Sequence, residues 1–384
     1  MERGLYSQDH EDFRAVVRTF VAREVTPNVS SWESDRLIGR DLWIAAGRAS
    51  IIGLTAPSEY GGAGTRDYRF RSVVLEELGR VFATSVAASL SLQDDVAIPY
   101  LVSLGSNDQR RQWLPGMCAG ELIGAVAMSE PSTGSDLRAI STSATRATDG
   151  WVVNGAKTFV TNGVQSDLVI VVTRTARAGG SRGFTLLVVE QGMEGFSRGR
   201  KLDKVGLHGQ DTAELFFSDV FVPDSHVLGC VGEALPALTH HLPLERLSIA
   251  VHAMAFSTSI FDDTVRYVDQ RMAFGKPVAD FQHTRFELAE LATELDVARA
   301  YVDKAILAYG TQDLTAVDAA KAKWWATDLQ SRLVDRCLQL HGGYGFMMEY
   351  PVGRMYQDAR VGRIFGGTNE IMKEIIGRDI VGRR

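Results

Sequence analysis

Apolar positions near the start of the chain recur with helical spacing: Phe13, Val16, Val17, Phe20 and Val21 follow i, i+3, i+4, i+7, i+8 and so share one helix face. Asp9 is the expected N-cap and Pro27 the stop. The same spacing persists to about residue 120, broken by the Pro/Gly-rich stretch LTAPSEYGGAG at 54–64, a connector or a lid. Between about 123 and 228 the pattern becomes short β-branched runs, WVV, TFV, DLVIVVTRT, GFTLLVVE and AELFFSDVFV, divided by DG, NG, NG and GG turn signals. Helical spacing then returns over 232–271, 281–309 and 313–341, broken by FGKP and HGGYGF. Segments this long with short connections predict antiparallel bundle helices.

The order helical, β, helical predicts an α+β multidomain chain: an N-terminal α-helical domain over 1–122, a central antiparallel, barrel-like β-domain over 123–229, and a C-terminal four-helix bundle over 230–384. No fixed-period repeat is present. With 41 Lys+Arg against 47 Asp+Glu, a net charge of -6 gives no basic field for nucleic acid or anionic lipid. The start, MERGLYSQDHEDF, has neither an apolar signal core nor an Arg-rich, acid-poor transit pattern, and no run reaches the ~18 apolar residues of a membrane span. A soluble, cytoplasmic protein is expected. Cys118, Cys230 and Cys337 are too scattered for a disulfide framework or a CxxC metal pair and are expected to be reduced.

Several chemistries lose their support by absence of motif: there is no GxGxxG after a strand, no GxxxxGK[ST], no HExxH and no GxSxG. The informative stretch is MSEPSTGSD at 128–136, a glycine- and hydroxyl-rich loop after a strand-like run, which taken alone reads first as a polar turn. In KTFVTNG at 157–163, Phe159 and Thr161 alternate with Lys157, so an aromatic face and a hydroxyl emerge together from one strand. Such a pair can stack on a flat ring and donate a hydrogen bond. The plainer reading packs Phe159 in the β-core and leaves Thr161 on a turn; these residues alone leave both open. His240 and His241 point about 100° apart on a helix and make a poor metal pair, so they read as structural or pocket-lining.

Taken together, EYGGAG at 59–64, MSEPSTGSD, KTFVTNG, DTAELFFSDVFVP at 211–223, RMAFGKPV at 271–278, QLHGGYGF and GGTNEI resemble the acyl-CoA dehydrogenase family in family order over nearly the whole chain. The resemblance implies FAD held without a Rossmann fold. Val126, Met128, Ser129, Gly134, Ser135, Phe159 and Thr161 would surround the isoalloxazine. Arg271, Phe274, Gln282, Gln339, Gly342 and Gly343 would meet the dinucleotide of a neighbouring subunit's FAD, which requires an oligomer, a homotetramer or homodimer. Thr368, Asn369 and Glu370 complete the expected cofactor set. The plainer readings are a helix C-cap at HGGYG and a helix-terminal cation at Arg271. Departures from the family pattern at Ser132, Thr133, Phe159 and Pro236, the last expected to break the pocket helix, leave acyl specificity open.

Dehydrogenation between the α and β carbons of a thioester needs a base over the α-carbon and donors on the carbonyl oxygen. Most of the family carries its glutamate in a YEGT-like stretch near the C-terminus, where this chain reads Phe365-Gly366-Gly367-Thr368. The long-chain and isovaleryl branches carry it on an earlier helix with a small residue at the later position. The resemblance to those branches makes Glu245, in LPLERL, the expected base, with Gly366 as the vacated wall. Ser135, Pro243, Arg246, Gly366 and Gly367 would contact the thioester, and no metal is expected. The implied reaction is FAD-dependent conversion of an acyl-CoA to its trans-2-enoyl-CoA in fatty acid metabolism, with an electron-transferring flavoprotein as acceptor. The alternatives are the same chemistry on an acyl group tethered to a carrier protein, a flavin monooxygenase of the same fold, and a scaffold without cofactor.

Overall fold

A computed structural model describes residues 3–176 and 183–382. The first third is helical: α1 Gln8–Phe20, α2 Val29–Asp35, α3 Arg40–Arg48, α4 Tyr68–Arg80, α5 Thr84–Ser91, α6 Ile98–Leu104 and α7 Asn107–Cys118. Helix α1 is capped by Ser7, whose N–H donates to His10 Nδ1 at 3.1 Å, so Asp9 lies in the first turn and is not the N-cap. The helix runs on through a wider π-type turn over Val21–Val25 before Pro27. The 54–64 stretch is a pinned connector: the N–H groups of Gly53 and Leu54 donate to Asp94 Oδ1 at 2.7 and 3.1 Å.

The central region contains β1 Gly124–Ala127, β2 Ser143–Ala147, β3 Gly150–Thr161, β4 Leu168–Arg174, β5 Phe184–Glu190, β6 Phe196–Lys201, β7 Thr212–Pro223 and β8 Val227–Leu228. Their order is β6-β7-β3-β2-β4-β5-β8, with β1 beside β4. Two pairings, β1 with β4 and β2 with β4, are parallel, so the sheet is mixed and its path does not close, unlike the antiparallel, barrel-like expectation. The reason is connectivity: the segment from 128 to 167 separates β1 from β4 and supplies the long crossover that parallel pairing needs. Strands β4 and β5 are buried over nearly their whole length, which explains their unbroken apolar runs. The DG signal forms a turn, with Asp149 at φ 58°, and so does the second NG, with Asn162 at φ 59°. The first NG does not turn: it lies inside β3, where Gly155 falls at a register shift against β7. The GG signal at 179–180 lies outside the described residues.

The last third holds α8 Ala234–Gln270, a two-strand hairpin of β9 Met272–Ala273 and β10 Lys276–Pro277, α9 Gln282–Gly310, α10 Ala316–His341, α11 Pro351–Asp358 and α12 Asn369–Ile380. Helices α8, α9, α10 and α12 form the bundle, and α4 packs across α8. Leu75 and Leu78 of α4, Leu247 and Phe256 of α8, Leu291 of α9 and Leu333 of α10 share one apolar core, so both helical regions are welded together. Pro236 sits in the first turn of α8, where its missing N–H costs no helical bond, and it does not break the helix. Among the described residues no helix is long and apolar enough to cross a membrane.

Candidate active site

Glu245 lies in the fourth turn of α8, two residues after Pro243, and is partly buried. The Tyr100 hydroxyl of α6 donates to its Oε1 at 3.0 Å. Burial pushes the carboxyl up to about 7, while that hydrogen bond and the neighbouring Arg246 pull the other way. A carboxylate poised near neutrality is suited to taking a proton.

The 366–367 turn packs against α8 at the neighbouring residues Arg246 and Ile249. Arg246 Nε reaches the Gly366 carbonyl at 3.4 Å, and Gly366 has φ 64°. A Cβ there would fall 2.3 Å from Cδ1 of Ile249, one helical turn beyond Glu245, so the space is filled by α8 itself. Lys323 of α10, fully buried, fixes the turn from behind by donating to the Gly367 carbonyl at 2.8 Å and to Asn369 Oδ1 at 3.0 Å. Burial and nearby Arg246 lower that ammonium to about 7. Of the residues that sequence reasoning singled out, Arg246, Gly366 and Gly367 are in contact, and Ile249, one turn beyond Glu245, closes on Gly366. Sequence reasoning missed Tyr100 and Lys323, neither of which stands in a motif.

A second cluster forms where β1 meets β3. Lys157, fully buried, donates to the Met128 carbonyl and to Glu130 Oε1, each at 3.0 Å, and Thr158 N–H donates to the Ser129 carbonyl at 2.9 Å. Glu130 also accepts from Ser141 N–H and Oγ, and from Thr142 N–H, at 2.7, 2.6 and 2.8 Å. Burial alone would raise this carboxyl, but those donors and Lys157 hold it at about 2. Burial lowers Lys157 to about 8 against the pull of Glu130.

A bulge between Lys157 and Val160 breaks the strand alternation, so Lys157, Phe159 and Thr161 do not share one face: Lys157 turns inward, and Phe159 stands 71% exposed at φ 58°. A bulky residue in left-handed backbone with its ring in the open is a conformation that chain packing does not explain. Beside it, Val126 and Met128 are partly buried, Thr161 closes β3, and Gly134 and Ser135 lie exposed on the loop.

A third group lines a recess of about 410 Å³ between α8 and the end of α10, formed by Tyr267, Arg271, Gln339, Gly342, Gly343 and Tyr344 among others. Arg271 stands 5.4 Å from the Tyr344 ring centre. Beyond their chain neighbours, no atom of the described residues comes within 4 Å of a Cβ placed on Gly134, Gly342 or Gly343; at Gly342 the backbone, with φ 58°, favours glycine, while at Gly134 and Gly343 packing does not demand it. Space of that kind, beside an arginine, fits a pyrophosphate approached by backbone. Phe274, 97% exposed, and Gln282 lie outside the recess lining. Thr368 caps α12 through Oγ1, Glu370 is exposed, and Asn369 is buried with its amide oxygen taken by Lys323 and Thr327. Among the described residues no cluster of three or more His, Cys, Asp or Glu is arranged to hold a metal.

Comparison with known proteins places these features in context. Three family models match in order: acyl-CoA dehydrogenase, N-terminal domain, over residues 7–121; middle domain, over 125–220; and C-terminal domain, over 235–381. The chain is 45% identical to the mitochondrial long-chain specific acyl-CoA dehydrogenase of Sus scrofa, over 99% of this chain and 88% of that protein. It superposes on the crystal structure of an acyl-CoA dehydrogenase from Geobacillus kaustophilus with a TM-score of 0.96 at 42% identity, over 99% of this chain and 100% of that one. A glutaryl-CoA dehydrogenase from Mycobacterium smegmatis, solved in complex with FADH2, superposes with a TM-score of 0.92 at 26% identity over 99% and 96% of the two chains.

Proposed function

The chain belongs to the acyl-CoA dehydrogenase family of oxidoreductases acting on CH–CH bonds, and from that premise we propose that it oxidises an acyl-CoA to the trans-2-enoyl thioester with Glu245 as the base for the α-proton. The observation that carries this reading is a Glu245 carboxyl raised by burial to about 7, on the same helix as Ile249, which already occupies the side-chain space of Gly366. FAD, when bound, supplies the acceptor for the β-hydride. The Phe159 bulge and the 126–135 segment would hold its ring; Arg271, Gln339, Gly342 and Gly343 would hold a pyrophosphate. Glu245 takes the proton, and the N–H groups of the 366–367 turn meet the thioester oxygen as negative charge develops there. Arg246 and Lys323 fix that turn through the Gly366 and Gly367 carbonyls and so leave its N–H groups free to face the substrate. The acyl-CoA reading is favoured by the names of the relatives; a carrier-protein thioester would use the same residues.

Because the base must be ionised, kcat/KM falls with pH below about 7 and levels off above it. Glu245→Gln should retain FAD yet lose turnover by roughly 3 orders of magnitude or more. Anaerobic bleaching of the bound flavin by a panel of acyl-CoA and carrier-protein thioesters measures both substrate class and turnover. Bleaching by Glu245→Gln at the wild-type rate would remove the assignment of the base.

A further inference from the structure

The face of α8 that carries Glu245 is joined to the segment before it by three hydrogen bonds at helical spacing. His241 Nε2 meets Ser103 Oγ at 2.7 Å, Glu245 Oε1 accepts from Tyr100 at 3.0 Å, and Ser248 Oγ donates to Asp95 Oδ2 at 2.5 Å. Positions 241, 245 and 248 are i, i+4 and i+7, one stripe of the helix, and their partners run antiparallel to it, from Ser103 back to Asp95. The Asp95 rung is anchored from its far side, where Asp95 also accepts from Arg71 Nε at 3.2 Å. The His241 rung is tied to the middle one by the His241 ring, stacked on that of Tyr100 with centres 4.3 Å apart. Tyr100 itself has no exposed surface, and among the described residues its hydroxyl has one partner, the carboxylate. A fully buried phenol kept against apolar neighbours such as Trp113 and Leu114, and spending its one polar atom on Glu245, is not needed for packing, since phenylalanine would fill the same volume.

We propose that Tyr100 is a positioning residue for Glu245, fixing the carboxylate's rotamer and favouring its ionised form through the middle rung of this stripe. The inference rests on Glu245 being the base. The titratable groups facing that carboxylate are Tyr100 and, one turn along, His241 stacked on it, with Arg246 on its own helix. His241 is held neutral, burial having lowered it to about 4, and the 366–367 turn contributes backbone alone. Tyr100 is therefore the one neutral donor whose removal changes the carboxylate's hydrogen bonding without removing a charge. A donor to an ionised carboxylate stabilises that form, so its loss moves the titration to higher pH.

The test compares pH profiles of kcat/KM for holoenzyme, with Ser103→Ala as a control that breaks a neighbouring rung without touching the carboxylate. Tyr100→Phe should shift the acid limb upward by roughly one pH unit and lower kcat about tenfold, with KM changed less than twofold. Ser103→Ala should leave the limb in place. A limb unmoved in Tyr100→Phe, or moved equally in Ser103→Ala, overturns the proposal. Should Tyr100→Phe fail to fold, replacement of Tyr100 by 3-fluorotyrosine keeps shape and hydroxyl while strengthening donation; the limb should then move down, and an unmoved limb again overturns it. Glu245→Gln separates the two claims: if it is inactive while the limb of Tyr100→Phe stays put, the base stands and this role for Tyr100 falls. If Glu245→Gln remains active, the underlying reading fails, and the proposal with it.

Discussion

At position 366 a side chain would enter with φ 64° and place its first carbon 2.3 Å from Ile249 Cδ1. Both terms are unfavourable: left-handed backbone costs a non-glycine residue about 1 kcal/mol, and the clash requires the Ile249 side chain to leave its rotamer or the turn to shift. A carboxylate at 366 is therefore disfavoured, in keeping with the proposed base at Glu245. Moving the carboxylate, Glu245→Gly with Gly366→Glu, should leave turnover at the level of Glu245→Gln, because the new side chain has no room to reach the substrate. Adding Ile249→Ala to that pair opens the space and should recover at least tenfold of the lost rate. Anaerobic flavin reduction in the three variants reads this directly; recovery in the double variant without the Ile249 change would show that the turn yields more easily than its contacts indicate.

The bulge in β3 is the element that presents Phe159, and it is built on the buried Lys157–Glu130 pair. Removing one member of such a pair leaves the other charge uncompensated, a loss of about 3 kcal/mol. Lys157→Met should accordingly lower the thermal midpoint by several degrees and release FAD more readily, whereas Phe159→Leu should weaken FAD with little change in the apoprotein's midpoint. Calorimetry with and without added FAD distinguishes the two. Elements of this kind mark where the sequence could be read and where it could not. Helices α8, α9 and α10 follow their apolar spacing to within a few residues, because their burial stripes are long. The bulge breaks the period of two at the very strand where alternation was used to infer a shared face, and no local residue announces it. The π-type turns over Val21–Val25 and Leu92–Ala97 likewise interrupt helices without Pro or Gly. Glu245 and Gly366 were legible through resemblance, as a pair separated by over a hundred residues; Tyr100, Lys323 and Glu130 act through tertiary contacts that only folding creates.

At the scale of the whole molecule, the residues expected to hold one flavin stand in two groups on different layers. Phe159 and the 126–135 loop belong to the sheet; Arg271, Gln339, Gly342 and Gly343 belong to the bundle, and no hydrogen bond among the described residues links the two. The bundle group is ringed by exposed apolar side chains, Phe274 at 97%, Phe346 at 81% and Met348 at 52%. Surface of that character is costly in water and fits a face that another chain would cover. Both facts follow if the bundle of one subunit supplies the recess that completes the flavin site of its neighbour, in a homotetramer or homodimer. Assembly and flavin retention are then a single equilibrium, linked by mass action. Phe274→Asp should lower both together, so that light scattering reports smaller particles in the same fractions that have lost flavin absorbance. Arg271→Ala should weaken flavin retention several-fold while the particle mass stays unchanged at protein concentrations well above the assembly's dissociation range, since it removes a ligand contact and not an apolar one. On dilution of the wild-type holoenzyme, flavin fluorescence should rise over the same concentration range in which the mass falls. Flavin that stays bound to isolated subunits would place the whole cofactor site within one chain.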